Sequence, residues 1–464
     1  MTAIARNARF PRPAFGGPQD LFYPRKTMVD LPTIVRGEGI HLWDDAGNRY
    51  IDVIAGAMCN NLGQGNQRVI EAAAAQARKL TFTYVRYARH APNMELARRV
   101  TELAGPGFER ALFVSGGSEA NDMAVKFLRQ YAVAKGETRR TRMISLMPSY
   151  HGNTLGTLAL SGDTDLDATY AEMVPFSTKI PAPLTYRLSG NRTAEQQALA
   201  TAEALEAAIL KLGPETVLGF IMEPVGGVAT GANVAPDAYY GAVRRICTRY
   251  GIRLVYDEVM SACRSGKFLA AHYWPEGKPD IVVMAKGIGA GYAPLGAMLA
   301  SAAMVDELAD MTGFNPSHTY NANPIACAAG CAVIDETIER DLIGNAARTG
   351  AHLKRRLEEL KERSPIVGDV RGIGMLCAVE LVADQATKAM IPPEMYIADR
   401  LRLLGLEHGL ILYARRQCQG RYGEWTMICP PLIVAPAEAD EIVERFERTL
   451  GALADALKAE GAIR

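Results

Sequence analysis

Two segments place charged side chains where an apolar strand runs out. In "IRLVYDEVM", Ile252 to Tyr256 read as a buried strand that ends on Asp257 and Glu258. In "PDIVVMAKGIGAGY", a second apolar run ends on Lys286. Charged groups are expensive to desolvate, so a chain that puts them there must supply partners for them. A lysine between an apolar strand and a glycine-rich loop has its neutral amine favoured, and such an amine can form a Schiff base with a carbonyl. The competing readings are plainer: Lys286 as a surface lysine at a strand end, and Asp257 as a structural acid with satisfied hydrogen bonds.

Three further segments bring groups to strand ends. "FVSGGSEAND" sets Ser115, Gly116, Gly117 and Ser118 directly before a helix. Backbone amides at such a turn make an anion site; equally, this is a tight turn with Ser118 as N-cap and Glu119 suiting the helix dipole. "MISLMPSYHG" leaves Tyr150 and His151 beyond a strand, and "TVLGFIMEPVGG" ends one on Glu223. No GxxxxGK[ST] loop is present, and "GIGAG" lacks the GxGxxG spacing of a dinucleotide site. A lysine, an acid and a phosphate-sized turn together suit pyridoxal phosphate, which needs an anion at its ring nitrogen to act as an electron sink. With that cofactor, Asp257 would gain a cationic partner that the sequence does not otherwise offer.

The elements that must position these groups alternate between short apolar runs and longer helical patterns. That alternation predicts a parallel sheet covered by helices, with ligands beyond the carboxyl ends of the strands. At the N-terminal end, "PTIVRGEGIHLWDDAGNRYIDV" reads as two short strands around the "DDAGN" turn. After Asn323 the pattern changes to long helices, then "VGDVRGIGMLCAVEL" and "GLILY". The expected organisation is α/β: residues 1–62 as an N-terminal segment of a small domain, 63–322 as a large cofactor-binding domain, and 323–464 completing the small α+β domain.

Composition narrows the function. The 464 residues carry 51 Lys plus Arg against 51 Asp plus Glu, so nothing points to nucleic acid or a membrane surface. The eight cysteines form no CxxC pair and the seven histidines no HExxH, which argues against a metal site. No apolar stretch is long enough to span a bilayer. Arg6, Arg9 and Arg12 are followed by "PRPAFGGPQ", not by an apolar h-region, so a cytoplasmic address is expected.

Taken in order, "FVSGGSEAND", "YHGNTLGTLALSG", "FIMEPVGG", "LVYDEVM", "PDIVVMAKGIGAGYAPLGA" and "HTYNANPIACAA" resemble the class III (ω-type) aminotransferases, pyridoxal-phosphate enzymes of fold type I. The resemblance runs from "RGEGIHLWDDAGNRYID" to "PPLIVAPAEADEI", most of the chain. It implies a seven-stranded, mostly parallel sheet between helices, and active sites shared across a homodimer. It also implies that Lys286 holds the cofactor and shuttles a proton, and that Asp257 pairs with the ring nitrogen. Tyr150 and Val259 would press on the two ring faces, Gly117 and Ser118 would hold the phosphate, and Glu223 would lie near the cofactor hydroxyl. Thr319 would reach the phosphate of the neighbouring subunit's cofactor. His151 is expected either at the cofactor or as a hydrogen-bonded core histidine.

The chain departs from the family pattern in places. Where relatives carry "DEVxTGFGRTG", this chain has "DEVMSACRSGKF", so Ser261, Ala262 and Cys263 replace the usual residues and one position is missing. Met58 stands where many amine-accepting members have tryptophan, and a thioether softens that wall. Met58, Tyr84 and Tyr87 are expected near the substrate or in core packing. A substrate carboxylate is best held by a bidentate arginine, for which Arg415 and Arg421 are candidates beside Arg416. The expected reaction moves an amino group from an amine or ω-amino acid to pyruvate or 2-oxoglutarate by a ping-pong route. The alternatives are a racemase, an epimerase or an aminomutase on the same scaffold and, from another class, a non-catalytic nucleotide-binding domain.

Overall fold

The computed structural model describes residues 31–175 and 177–463, so Arg6, Arg9 and Arg12 lie outside the described residues. Fifteen strands follow in chain order: β1 (Ile34–Glu38), β2 (His41–Asp44), β3 (Arg49–Asp52), β4 (Arg110–Val114), β5 (Arg142–Met147), β6 (Thr178–Pro181), β7 (Val217–Met222), β8 (Arg253–Asp257), β9 (Ile281–Met284), β10 (Gly296–Ala300), β11 (Val367–Ile373), β12 (Leu376–Leu381), β13 (Leu410–Ile411), β14 (Tyr413–Gln417) and β15 (Gly423–Ile428). The central sheet has seven strands in the order β4-β10-β9-β8-β7-β5-β6. Strand β10 alone runs against its neighbours; the pairs β9/β8, β8/β7, β7/β5 and β5/β6 are parallel.

Parallel strands covered on both faces need apolar residues at every position, not at alternate ones. Strands β7 ("VLGFIM") and β9 ("IVVM") satisfy this, and they and the antiparallel β10 ("GAMLA") are buried throughout. The period-2 alternation still sorts them. Val255, Ile281 and Val283 face the helix α1 (Gly117–Ala134), whose Ala120, Met123, Ala124, Phe127 and Leu128 form its buried stripe. Leu254, Tyr256, Val282 and Met284 face the opposite, larger core.

The "DDAGN" turn joins β2 to β3 in antiparallel register, as the sequence predicts. Strand β3 then pairs in parallel with β13, bringing residues 51–52 against residues 410–411. A third sheet, β11-β12-β15-β14, is fully antiparallel. The eight cysteines are all unpaired, with Cys59 and Cys331 partly exposed and the rest buried. Among the described residues no helix is long and apolar enough to cross a membrane.

Candidate active site

Strand polarity sends the carboxyl ends of β4, β5, β7, β8 and β9 to one edge of the central sheet. Just beyond them lies a cavity of about 300 Å³. Its walls include Gly117 and Ser118 after β4, Tyr150 and His151 after β5, Glu223 after β7, Asp257 and Val259 at β8, and Lys286 after β9.

The two acids after Tyr256 separate because successive strand residues point to opposite faces. Asp257 shares the face of Val255, toward α1, where Asn121 Nδ2 donates to its Oδ2 at 2.8 Å. His151 Nδ1 lies 2.9 Å from the same oxygen, and the Val259 amide donates to Oδ1 at 3.0 Å. Asp257 therefore has three hydrogen-bonding partners within the chain, as the plainer reading of a satisfied acid expects. Glu258 turns the other way and is fully buried. It accepts from the amides of Ala270 and Ala271 at 2.6 and 2.8 Å and from Ser261 Oγ at 3.0 Å. Ser261, one of the residues that depart from the family pattern, thus supports the acid beside the site.

Lys286 has φ +44°, a left-handed conformation that costs a non-glycine residue about 1–3 kcal/mol. Burial of its amine lowers its pKa below the ordinary 10.5, although Cys59, Asp257 and Glu223 pull the other way. The neutral amine is thereby favoured, as nucleophilic and proton-transfer chemistry requires. Desolvation raises the Glu223 carboxyl to about 7; its two oxygens accept from the amides of Tyr150 (3.2 Å) and Gly227 (2.9 Å).

The turn before α1, Ser115 to Ser118, lines the cavity. Helix α1 begins at Gly117, with Gly116 as its cap, so Ser118 is not the N-cap; its Oγ accepts from the Asn153 amide at 3.0 Å. This bond lays the "YHGN" turn across the start of α1. Two glycines permit the approach. A Cβ on Gly117 would stand 2.9 Å from Val259 Cγ2, and one on Gly152 would stand 2.5 Å from the hydroxyls of Ser118 and Thr157. Gly152 also has φ +138°, which disfavours a side chain whatever the space.

Residues assigned to the substrate lie outside this group. Met58 is buried beside cavity-lining Cys59, while Tyr84 and Tyr87 pack edge to face at 5.6 Å with Tyr87 88% exposed. Arg415 is paired with Asp163 at 2.6 Å, Arg416 with Glu424 at 2.8 Å, and Arg421 lies over the Tyr422 ring. Thr319 is on an exposed turn away from the cavity walls.

Residues 22–450 match the family described as aminotransferase class-III. The chain belongs to the class-III aminotransferases. It is 32% identical to the putrescine–pyruvate aminotransferase of Pseudomonas aeruginosa over 433 residues, 92% of each chain. It is 34% identical to the diaminobutyrate–2-oxoglutarate transaminase of Halomonas elongata over 446 residues, 93% of this chain and 92% of that one. Among solved structures, the ω-transaminase of Pseudomonas jessenii in complex with PMP superimposes with a TM-score of 0.85 at 32% identity, covering 93% of this chain and 94% of that chain. The activity is that of a class-III aminotransferase, and the cofactor is pyridoxal phosphate.

The residues present fit that cofactor. The desolvated amine of Lys286, the glycine cradle at Gly117 and Gly152, and the partnerless buried Nε2 of His151 all border the one cavity. Asn121 is the contact that sequence reasoning missed. Its signal was spacing, because three residues after Ser118 it lies on the same helix face. Asn121 Nδ2 also donates to the His151 carbonyl at 2.8 Å. Asn121→Leu should therefore strip a donor from a buried carboxylate and cost about 1–3 kcal/mol of stability. Urea unfolding checks this, and a loss below about 0.5 kcal/mol would show the bond to be dispensable.

Glu223 and Glu258 also set a pH dependence. Both are raised from 4.5 to about 7 in the folded chain, chiefly by desolvation. Between those pH values the folded chain binds more protons than the unfolded one, so stability should fall as pH rises through that window. Urea midpoints across it should decline in the parent and decline less in Glu258→Gln. A midpoint that rises would contradict the assignment.

Proposed function

We propose that this aminotransferase moves an amino group from an amine or ω-amino acid to pyruvate or 2-oxoglutarate, with Lys286 as the catalytic base. The observation that carries the reading is a desolvated lysine amine and a buried, triply held carboxylate on the walls of one cavity. When bound, pyridoxal phosphate supplies an electron sink for the pair left at the substrate carbon. The chain does the rest. Lys286 Nζ anchors the cofactor, takes the proton from the donor carbon and returns it on the other side of the transfer. Asp257, fixed by Asn121, His151 and the Val259 amide, presents a negative charge to the ring nitrogen. Tyr150 and Val259 would flank the ring, Gly117 and Ser118 would offer the turn for the phosphate, and Glu223 would lie toward the hydroxyl.

The site is completed by a second copy of the chain, whose exposed Thr319 reaches the phosphate. Met58, Tyr84 and Tyr87 line the approach of the donor. Arg415 is available to a keto-acid carboxylate only on leaving Asp163, which leaves the exposed Arg421 as the less encumbered candidate. The named activities of the two relatives support diamine and diamino-acid donors and both acceptors.

The test is a screen of purified protein with putrescine, diaminobutyrate and ω-amino acids against pyruvate and 2-oxoglutarate. Amine added without acceptor should convert the bound cofactor from its aldehyde to its amine form. An unchanged cofactor spectrum with racemised or rearranged substrate would sink the transfer reading in favour of a racemase or aminomutase.

A further inference from the structure

The segment 313–323, "GFNPSHTYNAN", exposes Asn315, Ser317, Thr319 and Tyr320, yet it is held at several points. Gln130 bonds Gly313 and Asn315, and Arg86 reaches the Asn315 carbonyl. The Ala322 amide donates to Phe113 O in β4 at 3.0 Å. Between these anchors His318 Nε2 meets Glu119 Oε1 at 2.9 Å. The Tyr320 amide donates to His318 Nδ1 at 3.1 Å, so Nε2 carries the proton given to Glu119. The Asn321 amide closes the turn on the His318 carbonyl at 3.1 Å.

The other oxygen of Glu119 accepts from the Ser115 amide at 2.8 Å. One carboxylate thus fastens both the turn Ser115–Ser118, which lines the cavity, and the loop whose exposed tip is Thr319.

We propose that Glu119 and His318 are a positioning pair that presents Thr319 to a second copy of the chain, so that cofactor retention in one subunit depends on the pair in the other. The inference rests on the two-copy reading above. A loop held only at its ends would sample many arrangements, and each would weaken a phosphate contact that needs one of them. The pair removes that freedom before the second copy arrives.

Apo protein titrated with pyridoxal phosphate should bind it about tenfold more weakly in Glu119→Ala and His318→Ala, the scale of one lost charge-assisted bond. Glu119→Gln keeps one acceptor but turns an amide NH₂ toward the other donor, so it should bind the cofactor more weakly than the parent, though no more weakly than Glu119→Ala. Mixed dimers separate a positioning role from a structural one. In a dimer of a Lys286→Ala/His318→Ala chain with a parent chain, the single Lys286 site faces the altered loop and should lose cofactor. In a dimer of a Lys286→Ala chain with a His318→Ala chain, that site faces an intact loop and should keep it. Weak retention in the second dimer, parental retention in both, or loss of the dimer in the alanine variants would overturn the proposal. Light scattering on the parent tests the two-copy reading separately, and a monomer there would remove that reading and the pair's role with it.

Discussion

Lys286→Ala should lower turnover by about 10⁴-fold, the upper range for losing a positioned general acid–base group. Of the side chains that line the cavity, Lys286 alone carries an amine, so no neighbour can both anchor the cofactor and move the proton. The other cavity-lining groups that exchange protons are Cys59, Tyr150, His151, Glu223 and Asp257. His151 Nδ1 lies 2.9 Å from Asp257, and both oxygens of Glu223 accept backbone amides. Burial raises the Cys59 thiol above its ordinary 9.0, so little thiolate is present at neutral pH. Steady-state rates with a responsive donor and acceptor measure the loss, and borohydride trapping followed by peptide mapping checks the anchor. A variant that turned over within tenfold of the parent would show that another group carries the proton.

Asp257→Asn is the second large effect, expected at roughly 10²–10³-fold in kcat, the scale of removing one preorganised electrostatic partner. The substitution preserves shape and removes charge. It also turns an amide NH₂ toward donors that previously met a carboxylate: Asn121 and His151 on one oxygen, the Val259 amide on the other. Attachment at Lys286 should survive, because that amine is desolvated by its own surroundings. Rate and attachment should therefore separate, with slow turnover in a protein that still binds cofactor covalently. Equal loss of both would place Asp257 in cofactor capture instead of in the proton-transfer step.

The central sheet was legible because its strands are buried on both faces. Runs such as "TVLGFIM" and "IVVM" are apolar at every position, and charged residues at their ends stand out against them. Asp257, Lys286 and Glu223 were visible for that reason, and sheet polarity then gathers them along one edge. The two-strand turn at "DDAGN" was legible from local turn chemistry alone.

Side-chain partners across long separations were not. Arg415 reads as a free carboxylate binder until folding sets it 2.6 Å from Asp163, a residue 252 positions away. His318 meets Glu119 and Asn121 meets Asp257; helix spacing puts Asn121 on the face of Ser118 but does not name its partner. The roles of Asp257 and Glu258 likewise depended on which way each faces.

Apolar periodicity along the chain, by itself, determined the class of fold, and the order of its motifs carried the resemblance that implied the family and the cofactor, because both are read from local stretches. Which acid meets the cavity, which arginine is already paired, and how one glutamate joins a turn to a distant loop were decided only by tertiary structure. Those contacts depend on distances through space, and a sequence specifies them only after the backbone has brought its remote parts together.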